Sequence, residues 1–153
     1  MTAARYFLDT NVLVYANDGS DARKQEAAMR LITDGIRSGR AVISSQVLSE
    51  FWVTVTQKLQ VPLDRQTAEK ELERFRVLRV MGIEYGTVRA AIHLQKRHQL
   101  SYWDALILAA AQLSGCARLY SEDMNEGREY DGLMVANPFS VGPEQVSTGP
   151  ATP

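Results

Sequence analysis

Short apolar runs alternate along this chain with longer segments in which apolar residues recur at the spacing of a helix. Such runs, bounded by turn residues, are typical of buried strands, and their alternation with helices is typical of a parallel sheet covered on both faces. The predicted strands cover residues 6–8, 41–43, 78–80, 118–120 and 133–135. The pattern therefore predicts an α/β fold, in which ligands bind beyond the carboxyl ends of the strands.

Residue types at the ends of the helical segments indicate where the helices begin and end. The side chains of Ser44, Asp64 and Ser101 can accept hydrogen bonds from the first turn of a helix. Gly39 can adopt the left-handed backbone conformation that often follows the last turn of a helix. The helix after Ser44 is predicted to continue to Leu59, because Pro62 ends this element.

The apolar faces of two later helices are also predictable. Residues 105–111 are apolar without interruption, which predicts a helix buried on all sides. In the helix predicted over residues 84–98, Val88, Ala91, Ile92 and Gln95 are expected along one side. Trp103, at the start of the apolar helix, is expected in the core or in the wall of a pocket.

The length of 153 residues fits one domain, which we expect over residues 1–140. Residues 141–153 are rich in Gly, Pro, Ser and Thr and are predicted to form a disordered tail. No apolar run reaches the roughly 18 residues that a membrane span needs, and Asp9 interrupts the apolar start of the chain. A cytoplasmic protein without contact to a membrane is therefore expected.

The counts of cysteine, histidine and charged residues narrow the possible functions. A single cysteine, Cys116, excludes an intramolecular disulfide and a thiolate zinc cluster, and only two histidines are present. Cys116 is expected to be a small buried apolar residue. The net charge of −1 gives no overall attraction for nucleic acid. A nucleic-acid substrate would therefore depend on a local basic patch or on metal ions.

Acidic residues follow several of the predicted strands. Asp9 ends the first strand, Glu50 lies in the helix after the second, Asp104 lies in the first turn of the apolar helix, and Glu122 and Asp123 follow the fourth strand. If these carboxylates converge at the strand ends, they cannot all stay ionised without a compensating cation. Ligands that are all oxygen favour Mg²⁺ or Mn²⁺ over zinc.

Each acid also has a purely structural explanation. Asp9 could bond the backbone of a turn, and Asp123 could be an ordinary loop residue. Glu50 lies away from the apolar stripe of its helix, so by itself it resembles a solvated charge. Asp104 follows Ser101 by three residues, the spacing of a capping box. Ile107 and Leu108 lie on its side of the helix, however, and an acid beside so apolar a surface is costly unless it is compensated.

Four motifs in order resemble those of PIN-domain proteins, and more narrowly of the VapC toxins of bacterial toxin–antitoxin pairs. They are FLDTNVLVY at residues 7–15, SSQVLSEF at 44–51, SYWDALILAAA at 101–111 and YSEDMN at 120–125. The resemblance runs from about residue 6 to residue 138, and the tail is not covered.

The resemblance implies an α/β/α sandwich and an endoribonuclease that depends on Mg²⁺ or Mn²⁺ and hydrolyses RNA. Asp9, Glu50 and Asp104 match the first three acids of the family, and Asp123 matches the fourth, with Glu122 beside it as the alternative. Asn11 and Ser121 match polar residues that would orient ligands or water. The family often forms homodimers that are silenced by a cognate antitoxin, whose tail covers the site.

Two other functions compete with this interpretation. A haloacid-dehalogenase-like phosphatase would need a second Asp two residues after Asp9, where this chain has Asn11. A non-catalytic PIN-like module that binds RNA or a protein partner would not need all the acids that this chain retains. Metal-dependent RNA cleavage that is abolished by Asp9→Asn would exclude both alternatives.

Overall fold

The computed structural model describes residues 3–140, so the predicted tail lies outside the described residues. The strands are β1 (Arg5–Leu8), β2 (Ala41–Ser44), β3 (Arg79–Met81), β4 (Cys116–Tyr120), β5 (Glu129–Tyr130) and β6 (Leu133–Ala136). They form one six-stranded sheet in the order β3-β2-β1-β4-β6-β5. Each neighbouring pair is parallel except β5 with β6, which is antiparallel. The prediction of a parallel sheet is confirmed, whereas the short strand β5 was not predicted.

Helices flank this sheet on both faces and complete a three-layer α/β/α sandwich. They are α1 (Thr10–Ala16), α2 (Ala22–Ser38), α3 (Ser45–Val53), α4 (Arg65–Phe75), α5 (Tyr85–His98) and α6 (Tyr102–Leu113). The connections from β1 to α1 and from β2 to α3 contain one residue or none, so each of these helices starts directly at a strand end.

The helix ends follow the local signals in the sequence. The side chains of Ser44, Asp64 and Ser101 accept backbone N–H groups in the first turns of α3, α4 and α6. Gly39 follows α2 with a φ of +69°, which a residue without a Cβ adopts at no steric cost. These predicted caps are confirmed.

The predicted helix from residue 45 to Leu59 is confirmed as far as Lys58, but only its first part is α-helical. The α-helix ends at Val53, and a π-helical segment (Thr54–Lys58) continues it. The Thr56 hydroxyl donates to the carbonyl oxygen of Trp52 at 2.6 Å, and the N–H of Leu59 reaches the oxygen of Thr54 at 3.1 Å. A side chain that bonds a carbonyl group of the preceding turn can distort the backbone hydrogen bonds of a helix. The spacing of apolar residues does not report such a bond, so it did not predict the π-helical segment.

The predicted inner face of α5 is wrong at Ile92, which is 37% exposed. The prediction is confirmed at Ala91, but the other buried residues are Thr87 and Leu94, so the buried face is rotated around the helix from the predicted one. Thr87 was not expected inside because it is polar. Its hydroxyl oxygen accepts the backbone N–H of Glu84 at 3.2 Å, so its burial leaves no unsatisfied acceptor there.

Helix α6 is the buried helix that the sequence predicts. Every residue from 105 to 111 is buried, and the helix contacts α5, β4 and β2. Trp103, in its first turn, is 62% exposed, so it does not lie in the core; the other expected place, the wall of a pocket, stays a prediction. Cys116, which follows the helix in β4, is buried as expected. Within residues 3–140, no helix has the length and apolar character needed to cross a bilayer.

Gly35 lies where α2 passes very close to β2. A Cβ at this position would lie 2.4 Å from the Cβ of Ala41, a distance that packed side chains do not adopt. We expect Gly35→Ala to push α2 away from the sheet and to lower the free energy of unfolding by about 1–3 kcal/mol. Gly86→Ala in α5 is the control, since a Cβ there meets nothing within 4 Å. It should raise the free energy of unfolding by about 0.4–1 kcal/mol, and equal effects in urea denaturation would contradict the close packing.

Candidate active site

The candidate site lies at the carboxyl ends of three neighbouring strands. Asp9 directly follows β1, Ser121 directly follows β4, and the helix that carries Glu50 starts at the end of β2. Because β2, β1 and β4 are adjacent and parallel, their carboxyl ends meet at one edge of the sheet. This is the edge at which open α/β sheets bind ligands.

Asp9 lies at the centre of this edge. The residue is only 7% exposed. Its Oδ1 accepts the backbone N–H of Thr10 and its Oδ2 accepts the hydroxyl of Ser121, each at 2.7 Å. Burial raises the pKa of Asp9 from 3.8 to about 6. The hydrogen bonds from Ser121 and Thr10 oppose this rise, whereas the nearby charges of Glu50 and Asp123 add to it. Asp9 is therefore a desolvated acid among other acids.

Glu50 is held by two side chains rather than solvated as its helix position alone suggested. The Thr10 hydroxyl donates to Oε2 at 2.6 Å, and the Gln46 amide donates to Oε1 at 3.0 Å. Thr10 follows Asp9 directly, so the first hydrogen bond joins the start of α1 to α3. The carboxylate of Glu50 is thereby held beside that of Asp9.

Asp123 is joined to the same edge through Asn11. The Asn11 amide donates to Oδ2 of Asp123 at 3.2 Å, and its carbonyl oxygen accepts the backbone N–H of Glu122 at 3.3 Å. The backbone N–H of Asp123 donates to the Ser121 hydroxyl oxygen at 3.2 Å. Asn11 and Ser121 thus hold the loop after β4 against the residues that follow β1.

Glu122 takes a different direction from Asp123. Its carboxylate forms an ion pair with Lys24 of α2, and the two side chains are 24% and 29% exposed. Of the two adjacent acids, Asp123 is the one whose carboxylate is hydrogen-bonded by Asn11 at the edge that holds Asp9.

Asp104 is connected to the other acids less directly. Its backbone N–H donates to Ser101 at 3.1 Å, as in the predicted cap. The amide of Gln46, which also binds Glu50, donates to the carbonyl oxygen of Trp103 at 3.1 Å and so ties α3 to the first turn of α6. Across residues 3–140, no three His, Cys, Asp or Glu side chains form a group close enough for a ready-made metal site.

Sequence reasoning missed Thr10, Gln46 and Lys24. Gln46 stands one helical turn before Glu50, a spacing at which side chains of one helix meet, so its contact could have been anticipated. Thr10 and Lys24 bind acids that lie far away along the chain, and no local pattern indicates such pairs.

We expect Ser121→Ala to raise the pKa of Asp9 above its value of about 6, because the hydroxyl that favours the charged form is removed. The backbone N–H of Asp123 would also lose its partner, which should lower the free energy of unfolding by about 1–3 kcal/mol. Carbon-detected NMR titration of the carboxyl groups measures the first effect. Ser49→Ala, which removes an exposed hydroxyl bonded within α3, is the control. An unchanged Asp9 titration would contradict the contact.

The model of the PIN domain family matches residues 6–128 of this sequence. The chain belongs to the PIN domain family. The matched residues include all the acids of the candidate site, Asp9, Glu50, Asp104 and Asp123. Comparison with curated proteins gives no match.

Solved structures with the same fold as this PIN domain include toxins of toxin–antitoxin pairs. Mycobacterium tuberculosis VapC20, a sarcin–ricin loop cleaving toxin, is 22% identical, with a TM-score of 0.62 over 77% of this chain and 89% of that one. A toxin–antitoxin complex from Klebsiella pneumoniae is 20% identical, with a TM-score of 0.66 over 89% and 99%. VapBC2 from Rickettsia felis, bound to a promoter DNA fragment, is 18% identical, with a TM-score of 0.64 over 86% and 97%. At these identities the likeness concerns the fold.

Proposed function

We propose that this PIN domain is a metal-dependent endoribonuclease and the toxin of a toxin–antitoxin pair. The observation that carries the proposal is the buried carboxylate of Asp9, with Glu50 and Asp123 beside it at the carboxyl ends of the parallel strands. Membership of the PIN family and the fold shared with VapC20 support the same conclusion.

The carboxylate oxygens at this edge are donors of the kind that Mg²⁺ and Mn²⁺ bind. Burial disfavours the charged form of Asp9, and Glu50 and Asp123 add to the cost, so a cation would offset an energy that the protein otherwise bears. The amide oxygen of Gln46 is buried and has no hydrogen-bond partner among the described residues. Carboxylate ligands favour Mg²⁺ or Mn²⁺. We assign Asp9, Glu50, Asp104 and Asp123 as the residues that would hold the ion.

The polar neighbours of these acids would orient them. Ser121 and the backbone of Thr10 fix both oxygens of Asp9, so its carboxylate cannot rotate freely. Asn11 fixes Asp123, and Gln46 keeps Glu50 at a set distance from the first turn of α6. Such contacts around metal ligands typically change metal affinity or activity by about 10–100-fold when they are lost. When bound, the ion supplies a Lewis acid that holds a phosphate and lowers the pKa of the attacking water.

The proposed partners are an RNA substrate, a cognate antitoxin and a second copy of this chain. The net charge of −1 makes local contacts and the metal the main attraction for RNA. The chains with the same fold in the structures from Klebsiella pneumoniae and Rickettsia felis belong to toxin–antitoxin complexes, which supports an antitoxin as the partner.

The proposal is tested by incubating purified protein with labelled RNA in Mn²⁺, in Mg²⁺ and in a chelator. We expect cleavage only with metal, and none by Asp9→Asn at equal concentration. A DNA strand of the same sequence tests the preference for RNA. RNA binding by the wild type without cleavage in either metal would instead support a non-catalytic PIN-like module.

A further inference from the structure

Lys24, in the first turn of α2, contacts three side chains from other parts of the chain. Its ammonium group forms an ion pair with Glu122 and donates to the Tyr15 hydroxyl at 3.2 Å. The ammonium lies 4.7 Å from the centre of the Tyr15 ring and 5.8 Å from that of Phe139. The hydrogen bonds to Glu122 and Tyr15 raise the pKa of Lys24, so it is charged at neutral pH.

The backbone of Lys24 is fixed as well. Asp21 caps α2 and accepts the N–H groups of Arg23 and Lys24, so the first turn of the helix is held in place. Tyr15, which the ammonium also contacts, packs edge-on against Phe139 with ring centres 5.0 Å apart. The position of the positive charge is therefore set by two elements of the fold rather than by a flexible side chain alone.

Glu122 belongs to the same loop as the residues of the candidate active site. Ser121, before it, binds Asp9, and Asp123, after it, is bound by Asn11. A further carboxylate on this loop would increase the negative charge of the edge if its side chain were free to turn. In the structure, that carboxylate is committed to Lys24.

We propose that Lys24 is a positioning residue that keeps Glu122 away from the metal-binding acids and thereby limits the affinity of the site for divalent cations. This inference rests on the proposed function, because it concerns the metal that the acids would hold. The Lys24–Glu122 pair is neutral as a whole, so Asp123 is the acid of this loop that acts on the cation. The same pair fixes the loop between Ser121 and Asp123 to α2.

The proposal predicts effects of opposite sign for the two partners. Lys24→Met removes a positive charge and frees a carboxylate, so we expect Mn²⁺ to bind about three- to tenfold more tightly. Glu122→Gln leaves the positive charge of Lys24 uncompensated, so Mn²⁺ should bind about three- to tenfold more weakly. The double variant restores a neutral pair and should bind Mn²⁺ as the wild type does. A purely structural role of the pair would not produce this reversal.

Calorimetric titration of the metal-free protein with Mn²⁺ at constant ionic strength measures all of these affinities. Arg30→Met is the matched control, because it removes one positive charge from the same helix, where Arg30 pairs with Glu26 on the exposed face. It should leave Mn²⁺ binding unchanged if the effect is local. Lys24→Arg, which keeps the charge, should bind Mn²⁺ as the wild type does.

Equal Mn²⁺ affinities in the wild type, Lys24→Met and Glu122→Gln would overturn the inference while leaving the proposed function intact. An RNA affinity lowered by Lys24→Met at unchanged Mn²⁺ affinity would also overturn it and would make Lys24 a phosphate contact. If Lys24→Met does not fold, Glu122→Gln decides the question, since unchanged or tighter binding contradicts the proposal. Absence of Mn²⁺ binding to the wild type would overturn the proposed function together with this inference.

Discussion

Asp9→Asn is expected to abolish RNA cleavage and at the same time to stabilise the metal-free protein. Cleavage should fall by about 10³-fold or more, because the substitution removes the charge of the central buried acid. The Asn side chain has nearly the same shape and caps a helix about as well as Asp, so the start of α1 should be preserved. Loss of activity is therefore expected without loss of structure.

The expected gain in stability follows from the pKa of Asp9. Its value is about 6 in the folded protein, against 3.8 for an unperturbed group, so the folded state binds the proton more tightly. The charged form therefore costs about 3 kcal/mol above pH 6, and this cost disappears as the pH falls from about 6 towards 4. Asp9→Asn removes the charge, so the metal-free variant should be more stable at pH 7 by about 1–3 kcal/mol.

Urea denaturation of the metal-free wild type and variant between pH 4 and pH 7 measures this difference. The gap between the two proteins should be widest at pH 7 and should close as the pH approaches 4. Asp18→Asn, a change at a half-buried acid in the turn after α1, serves as the control for net charge. A variant less stable than the wild type at pH 7 would mean that Asp9 acts mainly as a structural cap.

Phe51→Ala is expected to produce the largest loss of stability among the substitutions considered. Phe51 is fully buried, follows Glu50 in α3, and packs edge-on against Phe75 of α4 with ring centres 5.1 Å apart. Removing its ring should lower the free energy of unfolding by about 3–5 kcal/mol, through lost transfer energy and the cavity left behind. That is a large part of the roughly 5–15 kcal/mol by which domains are stable.

Thermal and urea denaturation measure this loss. Val53→Ala is the matched control, because Val53 lies on the same helix but is 37% exposed. It should cost well under about 1 kcal/mol, in keeping with surface positions away from the core. A similar cost for both variants would show that α3 does not derive its position from the packing of Phe51 against α4.

The sequence by itself determined the features that depend on neighbouring residues. Alternating apolar runs and helical spacing predicted the parallel strands and the buried helix α6, because burial on both faces of a sheet requires such runs. The caps at Ser44, Asp64 and Ser101 were predictable because each side chain bonds a backbone group within three residues of itself. The position of Asp9 after β1 followed in the same way.

Only the tertiary structure decided how the acids are held and which of them face one another. The partners of Glu50 and Asp123 are Thr10 and Asn11, which lie 40 and 112 positions away in the chain. Local patterns also failed where a polar side chain could be buried because its hydrogen bond was satisfied, as Thr87 is in α5.

The two acids after β4 show the limit most clearly. Glu122 and Asp123 are adjacent carboxylic acids, and apart from the family resemblance, which favours Asp123, no local pattern in the sequence separates them. They differ in the structure because Lys24, placed by the packing of α2 beside α1, binds one carboxylate, whereas Asn11, placed by the end of β1, binds the other. Hydrogen bonds and ion pairs of this kind depend on where distant elements come to lie, which packing of the whole core determines and local sequence does not.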